Sequence, residues 1–114
     1  MQESRPQVIA RYSGIIASIA NGAIDEIEGI RREEGLVKYK FGLKMLKDRN
    51  VHVDIEDDLV IIDMFVDVDF GYSIPEVVCL LQEKIKAEVE AATKFKVKKI
   101  NVNVANITFS EPRQ

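Results

Sequence analysis

Hydrophobic and polar residues alternate along the middle of the chain, in the run VHVDIEDDLVIIDMFVDVDF at residues 51–70. A period of two is typical of a β-strand with one buried face. The alternation continues on both sides of Asp57-Asp58, so we predict a β-hairpin with these two residues as its turn. In this register Ile55 pairs with Val60, Val53 with Ile62, and Val51 with Met64.

The predicted hairpin has one apolar and one mostly acidic face. The apolar face consists of Val51, Val53, Ile55, Val60, Ile62, Met64, Val66, Val68 and Phe70. The other face consists of His52, Asp54, Glu56, Leu59, Ile61, Asp63, Phe65, Asp67 and Asp69. We expect the first face to be buried and the second to lie in water, with Asp67 and Asp69 as alternate residues on the solvated side.

The period changes to three and four residues after the hairpin, which predicts an amphipathic helix. Ser73 is its expected N-cap, Glu76 completes a capping box, and Pro75 occupies the first turn. The helix should end near Thr93-Lys94. Its predicted buried stripe is Ile74, Val77, Val78, Leu81, Ile85, Val89 and Ala92.

A final strand follows, with Ile100, Val102 and Val104 facing the core. The apolar phase slips at Ala105-Asn106, which predicts a β-bulge or bend at that point.

The N-terminal half is less regular. A helical stripe predicts a helix over about residues 12–27, and the preceding QVIA (residues 7–10) is interpreted as a short edge strand. The stripe is Ile16, Ile19, Ala20, Ala23 and Ile27. Residues 31–50 carry seven Lys or Arg against three Asp or Glu. We interpret them as an exposed, partly mobile connection with a short helix near residues 41–47.

These elements predict an α+β fold with two layers. A small, mainly antiparallel sheet with a central hairpin carries two principal helices packed on one face. The 114 residues are expected to form one domain, with an ordered core over about residues 7–109.

Composition restricts the class of protein. The net charge is −3 and the pI is about 5.2, which disfavours a general nucleic-acid binder, so no nucleic acid is expected as a partner. The single cysteine suits a reducing compartment. No apolar run approaches the roughly 20 residues that span a bilayer, and the polar MQESRPQ does not resemble a signal peptide. We therefore expect a cytoplasmic protein without direct membrane insertion.

The run DVDFG at residues 67–71 raises the question of metal or phosphate chemistry. An EF-hand loop beginning at Asp67 fails at its fifth, sixth and twelfth positions, occupied by Gly71, Tyr72 and Val78. The acidic face together with His52, which the register places across from Asp63, leaves a weak divalent-cation site as an alternative. A cross-strand polar pair with solvated carboxylates is the favoured interpretation.

Nucleophilic catalysis has little support in the sequence. Cys79 belongs to the predicted helix, whereas the imidazole of His52 lies on the solvent face of the hairpin, so the two are not expected to meet. No phosphate-binding glycine loop or zinc spacing occurs. We predict a protein that is not an enzyme, with no catalytic, cofactor-binding or metal-binding residue.

Leu59, Ile61 and Phe65 interrupt the acidic face with apolar side chains. Either the N-terminal segment folds over them, or they bind another protein chain. Both interpretations are open at the level of sequence, and the second makes these three residues the predicted partner-binding site.

The stretch FGYSIPEVVCLLQEKIKAEVEAATKFKVKKINVNVANITF is similar to the signature of the alkaline shock protein family, the envelope stress response proteins of Gram-positive bacteria. The matching residues are Gly71, Ile74, Pro75, Glu76, Val77, Gln82, Val89, Glu90 and Thr93, with the run INVNV at residues 100–104. Upstream, EGI at residues 28–30 and the hairpin resemble the family's turn and hairpin. Asn50 departs from the pattern, because a glycine is usual before the first hairpin strand, and TKF at residues 93–95 replaces the usual Thr-Gly-Leu.

The resemblance implies a cytoplasmic, non-enzymatic protein of cell envelope homeostasis. It implies self-association into a homo-oligomer, and attachment to the membrane periphery through an anchor protein. Gly71, Ile74, Pro75 and Glu76 would then have an architectural role. A KH-like RNA-binding domain is the alternative, because it has a similar order of elements; the absence of a G-x-x-G clamp loop and the acidic sheet face count against it.

Overall fold

The structure is a computed structural model that describes residues 4–33 and 50–109. It contains two helices and four strands within these ranges. In chain order they are α1 (Arg5–Ile24), β1 (Ile30–Arg32), β2 (Val51–Glu56), β3 (Leu59–Asp69), α2 (Ile74–Ala92) and β4 (Lys96–Thr108). The predicted two-layer α+β fold is confirmed.

β3 is the central strand of the sheet. β2 and β1 pair antiparallel with the two ends of β3 along one side, and β4 pairs parallel with β3 along the other. The parallel pairing follows from the connection, because α2 carries the chain back to the start of β3 before β4 begins. Two of the three pairings are thus antiparallel.

The hairpin has the predicted register, with Ile55 opposite Val60 and Val51 opposite Met64. Its turn residues Asp57 and Asp58 both have positive φ angles, 53° and 63°. This conformation is that of a type I′ turn, whose twist matches the twist of the flanking strands.

The predicted apolar face is buried along β2 and β3 but not at its end. Val60, Ile62, Met64, Val66 and Val68 are fully buried. Phe70 was expected in the core, and this expectation is wrong, because the residue lies beyond the end of β3 and is 67% exposed. Its ring instead stacks on Phe109, with 4.9 Å between the ring centroids.

α2 begins and ends where the sequence predicts. The Ser73 hydroxyl accepts a hydrogen bond from the backbone N–H of Glu76, and Thr93 is the C-cap. The centre of the predicted stripe is buried, namely Val77, Leu81, Ile85 and Val89. Its two ends, Ile74 and Ala92, are exposed, so the stripe is shorter than predicted.

α1 begins earlier than the sequence analysis predicts. Ser4 and Gln7 form a reciprocal capping box, in which each side chain accepts a hydrogen bond from the backbone N–H of the other residue. The predicted edge strand at residues 7–10 is therefore wrong, because this cap begins a helix that includes them. At the other end, Ile27 lies outside the helix, which ends at Ile24.

Both helices pack on the same face of the sheet. α1 contacts β2 and β1, α2 contacts β4, and the two helices contact each other. Their buried residues join those of β3 in one core. Ile100, Val102 and Val104 pack against this core as predicted.

β4 contains two irregularities opposite β3. The predicted bulge is confirmed: Val104 pairs with Val66 and Asn106 with Asp67, so Ala105 is the extra residue. A second register shift leaves Lys98 without a partner on β3.

The two residues that border residues 34–49 lie side by side. The Asn50 side chain donates a hydrogen bond to the backbone carbonyl of Glu33, and both residues are buried. Arg31 and Arg32, interpreted as part of an exposed connection, belong to β1. The short helix predicted near residues 41–47 lies outside the described residues.

Candidate functional site

The face of the sheet opposite the helices is the candidate functional site, here called the outer face. β3 contributes Leu59, Ile61, Asp63, Phe65, Asp67 and Asp69 to it, and the paired strands add the residues beside them. Both described helices pack on the other side of the sheet. The outer face therefore carries no helical layer from the described part of the chain.

The carboxylates of β3 on this face are hydrogen-bonded to the neighbouring strands. Asn101 donates its side-chain amide to Asp63 over 2.7 Å, and Asn106 donates to Asp67 over 3.0 Å. The parallel register explains the first contact, since Asp63 and Asn101 are directly paired. The bulge at Ala105 explains the second, because it moves Asn106 rather than its neighbour beside Asp67.

Asp69 is the last of these carboxylates and lies at the end of β3. It accepts hydrogen bonds from Arg31 over 2.8 Å and from the Thr108 hydroxyl over 2.5 Å. The expectation that Asp67 and Asp69 lie in water is wrong. Asp67 is only 8% exposed, because β1 and β4 flank it on both sides.

These hydrogen bonds bear on the cation hypothesis. His52 is paired with Asp63 in the register, as predicted, but its Nε2 lies 3.3 Å from a carboxylate oxygen of Asp54 instead. Within residues 4–33 and 50–109, no three His, Cys, Asp or Glu side chains come together as metal ligands. Asp63, Asp67 and Asp69 join strands to one another.

Cys79 lies on α2, in the other layer from His52. Its sulfur is 3.7 Å from a carboxylate oxygen of Glu83. The negative charge of Glu83 raises the pKa of the Cys79 thiol above its usual range, which reduces the thiolate fraction at neutral pH. This environment is the opposite of the one that activates a nucleophilic cysteine.

The three predicted partner-binding residues share the outer face. Phe65 is 48% exposed and Leu59 is 37% exposed, while Ile61 is half-buried. Leu59 and Phe65 are about 20 Å apart along the strand, and the Asp63–Asn101 pair lies between Ile61 and Phe65. The structure thus places the three on one face without joining them into one patch.

The alternative in which the N-terminal segment covers these residues does not hold for α1. This helix packs against the apolar side of the sheet, where Ile16, Ala20 and Ala23 are buried. Phe65 thus remains exposed with α1 in place.

The predicted motif Gly71, Ile74, Pro75 and Glu76 forms the junction between β3 and α2. Gly71 has a φ angle of 98°, and the Tyr72 backbone N–H donates to the carbonyl of Asp69 over 3.3 Å. Pro75 lies in the first turn of α2. The chain turns at Gly71, whose left-handed backbone conformation glycine adopts without steric cost.

A contact that the sequence analysis missed holds this junction to the turn between α1 and β1. The Tyr72 ring lies against Gly29, where a β-carbon would come within 2.5 Å of ring atoms. The hydrogen bond to Glu28 raises the pKa of the Tyr72 hydroxyl above its usual value. The EGI run marked the turn in the sequence, but nothing local indicated Tyr72 as its partner.

Comparison with known proteins places this chain in a family. The model of the alkaline shock protein family, described as having a cell envelope-related function, matches residues 2–109. The chain belongs to this family. The resemblance that the sequence predicted is thereby confirmed.

Two relatives come from Bacillus subtilis (strain 168). The chain is 35% identical over 112 residues to the uncharacterized protein YqhY, covering 98% of this chain and 80% of YqhY. It is 30% identical over 103 residues to the uncharacterized protein YloU, covering 86% of each. No solved structure matches the chain.

The membership gives the departures from the family pattern a structural context. The side chain of Asn50, the residue that departs from the expected pattern, joins the end of β1 to the start of β2. Neither of the two helices in the described ranges is both long and apolar enough to cross a bilayer.

Proposed function

We propose that this alkaline-shock-family protein serves the cell envelope without catalysing a reaction, by associating with itself and by binding other proteins. The family's envelope-related function supports the setting of this proposal. We further propose that an anchor protein holds the chain at the periphery of the membrane.

The observation that carries the proposal is the position of Phe65. Its ring is half exposed in the middle of the central strand, on the face that the described helices leave open. Aromatic side chains contribute strongly to protein interfaces because they bury a large area with few rotatable bonds. An exposed ring at the centre of a sheet is thus suited to contact with another chain.

The polar surroundings of Phe65 support the same proposal. Asp63 and Asp67, two residues away on either side, already accept hydrogen bonds from Asn101 and Asn106. A partner that covers this face would leave those pairs intact, so it would not create buried polar groups without hydrogen bonds. This lowers the desolvation cost of binding.

No specific observation favours the RNA-binding alternative. The outer face carries Asp54, Asp63, Asp67 and Asp69, and carboxylates repel the phosphate groups on which nucleic-acid affinity largely depends. The family match also gives it no support.

Substitution of Phe65 with glutamate tests the proposal. We expect Phe65→Glu to reduce self-association, measured by sedimentation velocity, and to remove proteins that co-purify with the wild-type chain from its native cell. The monomer should remain folded, with its free energy of unfolding lowered by about 1 kcal/mol, because the ring is half exposed and glutamate suits a strand less well than phenylalanine.

Leu80→Glu is the matched control. Leu80 is 53% exposed on α2, in the other layer, so this variant introduces the same charge at a similar apolar surface position. It should behave like the wild type in both measurements. Equal losses in the two variants, or a loss of association that follows a loss of folding, would contradict the proposed role of the outer face.

A further inference from the structure

β4 is an edge strand within the described residues. It pairs with β3 on one side, and no other described strand lies on its second side. An edge strand presents backbone N–H and C=O groups that can pair with another chain, and proteins usually block such edges. The two halves of β4 differ in how far they are blocked.

The first half of the edge is closed by side chains of α2. Glu90 accepts a hydrogen bond from the backbone N–H of Val97 over 2.8 Å. Gln82 donates its side-chain amide to the carbonyl of Ile100, also over 2.8 Å. Two backbone groups of β4 are thus already occupied, one at each end of this half.

Charge protects the first half as well. Three lysines lie along it, Lys96, Lys98 and Lys99. Lysine is one of the usual means by which an edge strand is kept from pairing with another strand. Each half contains one register shift, at Lys98 and at Ala105, so this feature does not distinguish the halves.

The second half, residues 102–108, has none of these lysines and none of these hydrogen bonds from α2, and it is here called the open half. No charged residue occurs between Ile100 and Phe109. The carbonyl of Ile100 points away from β3, towards Gln82. The backbone N–H and C=O groups of successive residues in a strand point to alternate sides. Those of Val102 and Val104 therefore also point away from β3, to the unpaired side of β4. In the described part of the chain, no side chain of α2 donates to or accepts from them.

We propose that the open half pairs antiparallel with the open half of a second copy, so that two sheets become one. This inference rests on the self-association in the proposed function and adds a second contact surface to the outer face around Phe65. An antiparallel pair related by a two-fold axis is self-complementary, since each strand offers the same groups to the other.

The charge distribution favours a second copy as the partner and antiparallel over parallel pairing. The open half is neutral, so the paired segments bring no like charges opposite one another. In the antiparallel arrangement the lysines of one copy lie at the far end from those of the other. A parallel arrangement would place Lys98 and Lys99 of both copies side by side, which is unfavourable.

The pairing would also unite the outer faces of the two copies. Adjacent antiparallel strands are related by a two-fold axis perpendicular to the sheet, so both helical layers lie on one side. The two Phe65 rings then lie on the same surface. One strand, β4, separates each Phe65 from the junction between the copies, because Phe65 pairs with Asn103.

Ala105→Lys tests the proposal. Ala105 is the exposed extra residue of the bulge, and lysine there places a charge within the open half of both copies. We expect the dissociation constant for self-association, measured by sedimentation equilibrium, to rise at least tenfold. Ala87→Lys, at an exposed position of α2, is the matched control and should leave it unchanged.

A cross-linking measurement tests the direction of pairing. In a Cys79→Ser background, Asn103→Cys should give a covalent dimer with a bis-maleimide that spans about 15 Å. Antiparallel pairing about Ala105, the middle of the open half, places the two copies of residue 103 only four residues apart along the strands. Lys98→Cys in the same background should stay uncross-linked. Cross-linking at both positions would indicate parallel pairing and overturn the proposal.

The outcomes separate this inference from the proposed function. A wild-type chain that stays monomeric removes self-association and this inference together. Association that persists in Ala105→Lys, with no Asn103→Cys dimer, overturns the edge pairing alone. Association lost in Phe65→Glu but retained in Ala105→Lys would place the contact on the outer face and also overturn it.

Discussion

Two glycines at the end of the sheet act in different ways at the scale of single residues. Gly29 and Gly71 both have φ angles in the left-handed region, 93° and 98°. The Tyr72 ring occupies the space where a side chain of Gly29 would begin, whereas nothing lies within 4 Å of the same position at Gly71. Gly29 is therefore required both by its backbone conformation and by packing against Tyr72, whereas Gly71 is required by its backbone conformation alone.

We predict that Gly29→Ala lowers the free energy of unfolding by more than Gly71→Ala does. A left-handed alanine costs about 1–2 kcal/mol in either variant. Gly29→Ala must in addition displace the Tyr72 ring, so its total should exceed about 2 kcal/mol. Urea unfolding monitored by circular dichroism measures both, and equal losses would contradict the role of the ring contact.

The hydroxyl of Tyr72 gives a prediction of pH dependence. Its hydrogen bond to Glu28 raises its pKa, and burial and the charges of Glu28 and Asp69 act in the same direction. The folded pKa therefore exceeds the unfolded value of about 10. The contribution of this bond to stability is fully present below the unfolded pKa and is lost as the pH rises through the folded pKa.

Ultraviolet titration of the wild type minus Tyr72→Phe isolates this hydroxyl. We expect the difference to titrate above the pH at which free tyrosine ionises, and the shift to become smaller in Glu28→Gln. A difference curve that coincides with free tyrosine would count against the Glu28 contact.

At the scale of secondary-structure elements, the hairpin turn has a backbone conformation for which its two residues are not the most favourable types. Asp57 and Asp58 both adopt positive φ angles. Aspartate tolerates this region, but asparagine followed by glycine is the preferred pair for a type I′ turn. The two adjacent carboxylates also repel each other.

The double substitution Asp57→Asn with Asp58→Gly should stabilise the protein by about 0.5–1.5 kcal/mol. The ion pair between Arg5 and Asp58 is lost, but both side chains are exposed and such pairs contribute little. Glu56→Gln is the control, because it removes a nearby charge without changing the turn. If chemical denaturation showed the same gain in stability for Glu56→Gln as for the double substitution, charge rather than backbone conformation would be the cause.

The elements also differ in how well the sequence predicts their boundaries. α2 was bounded correctly because Ser73 and Thr93 are local signals at its two ends. The start of α1 was missed although Ser4 and Gln7 form a capping box, because the run at residues 7–10 also fits a short strand. Period alone does not separate a short apolar strand from the first turn of a helix.

At the scale of the whole molecule, the position of β3 decides which surfaces are available. Neighbouring strands flank it on both sides, and its apolar face lies under the helices. Two surfaces that remain open to another chain, among the described residues, are the outer face around Phe65 and the second half of the β4 edge. The Phe65→Glu and Ala105→Lys variants change these two surfaces separately, so together they distinguish face-to-face from edge-to-edge assembly.

The candidate site was only partly predictable, because its side chains contact residues from distant parts of the chain. Alternation placed Leu59, Ile61 and Phe65 on one face correctly, since period two is a property of a single strand. Alternation also placed Asp67 in water, which is wrong, because the residues beside it come from β1 and β4. Those neighbours are distant in sequence, and a bulge of one residue determines which amide reaches Asp67.

The sequence by itself determined the hairpin and its register, the cap of α2, the bulge in β4 and the family signature at Gly71 to Glu76. Each of these depends on interactions between residues close in the chain or on a regular period. The tertiary structure decided the parallel pairing of β4 with β3, the burial of Asp67, the exposure of Phe70, and the contact of Tyr72 with Gly29. These depend on which distant segments meet, and the free energy of that choice comes from packing, which no local pattern records.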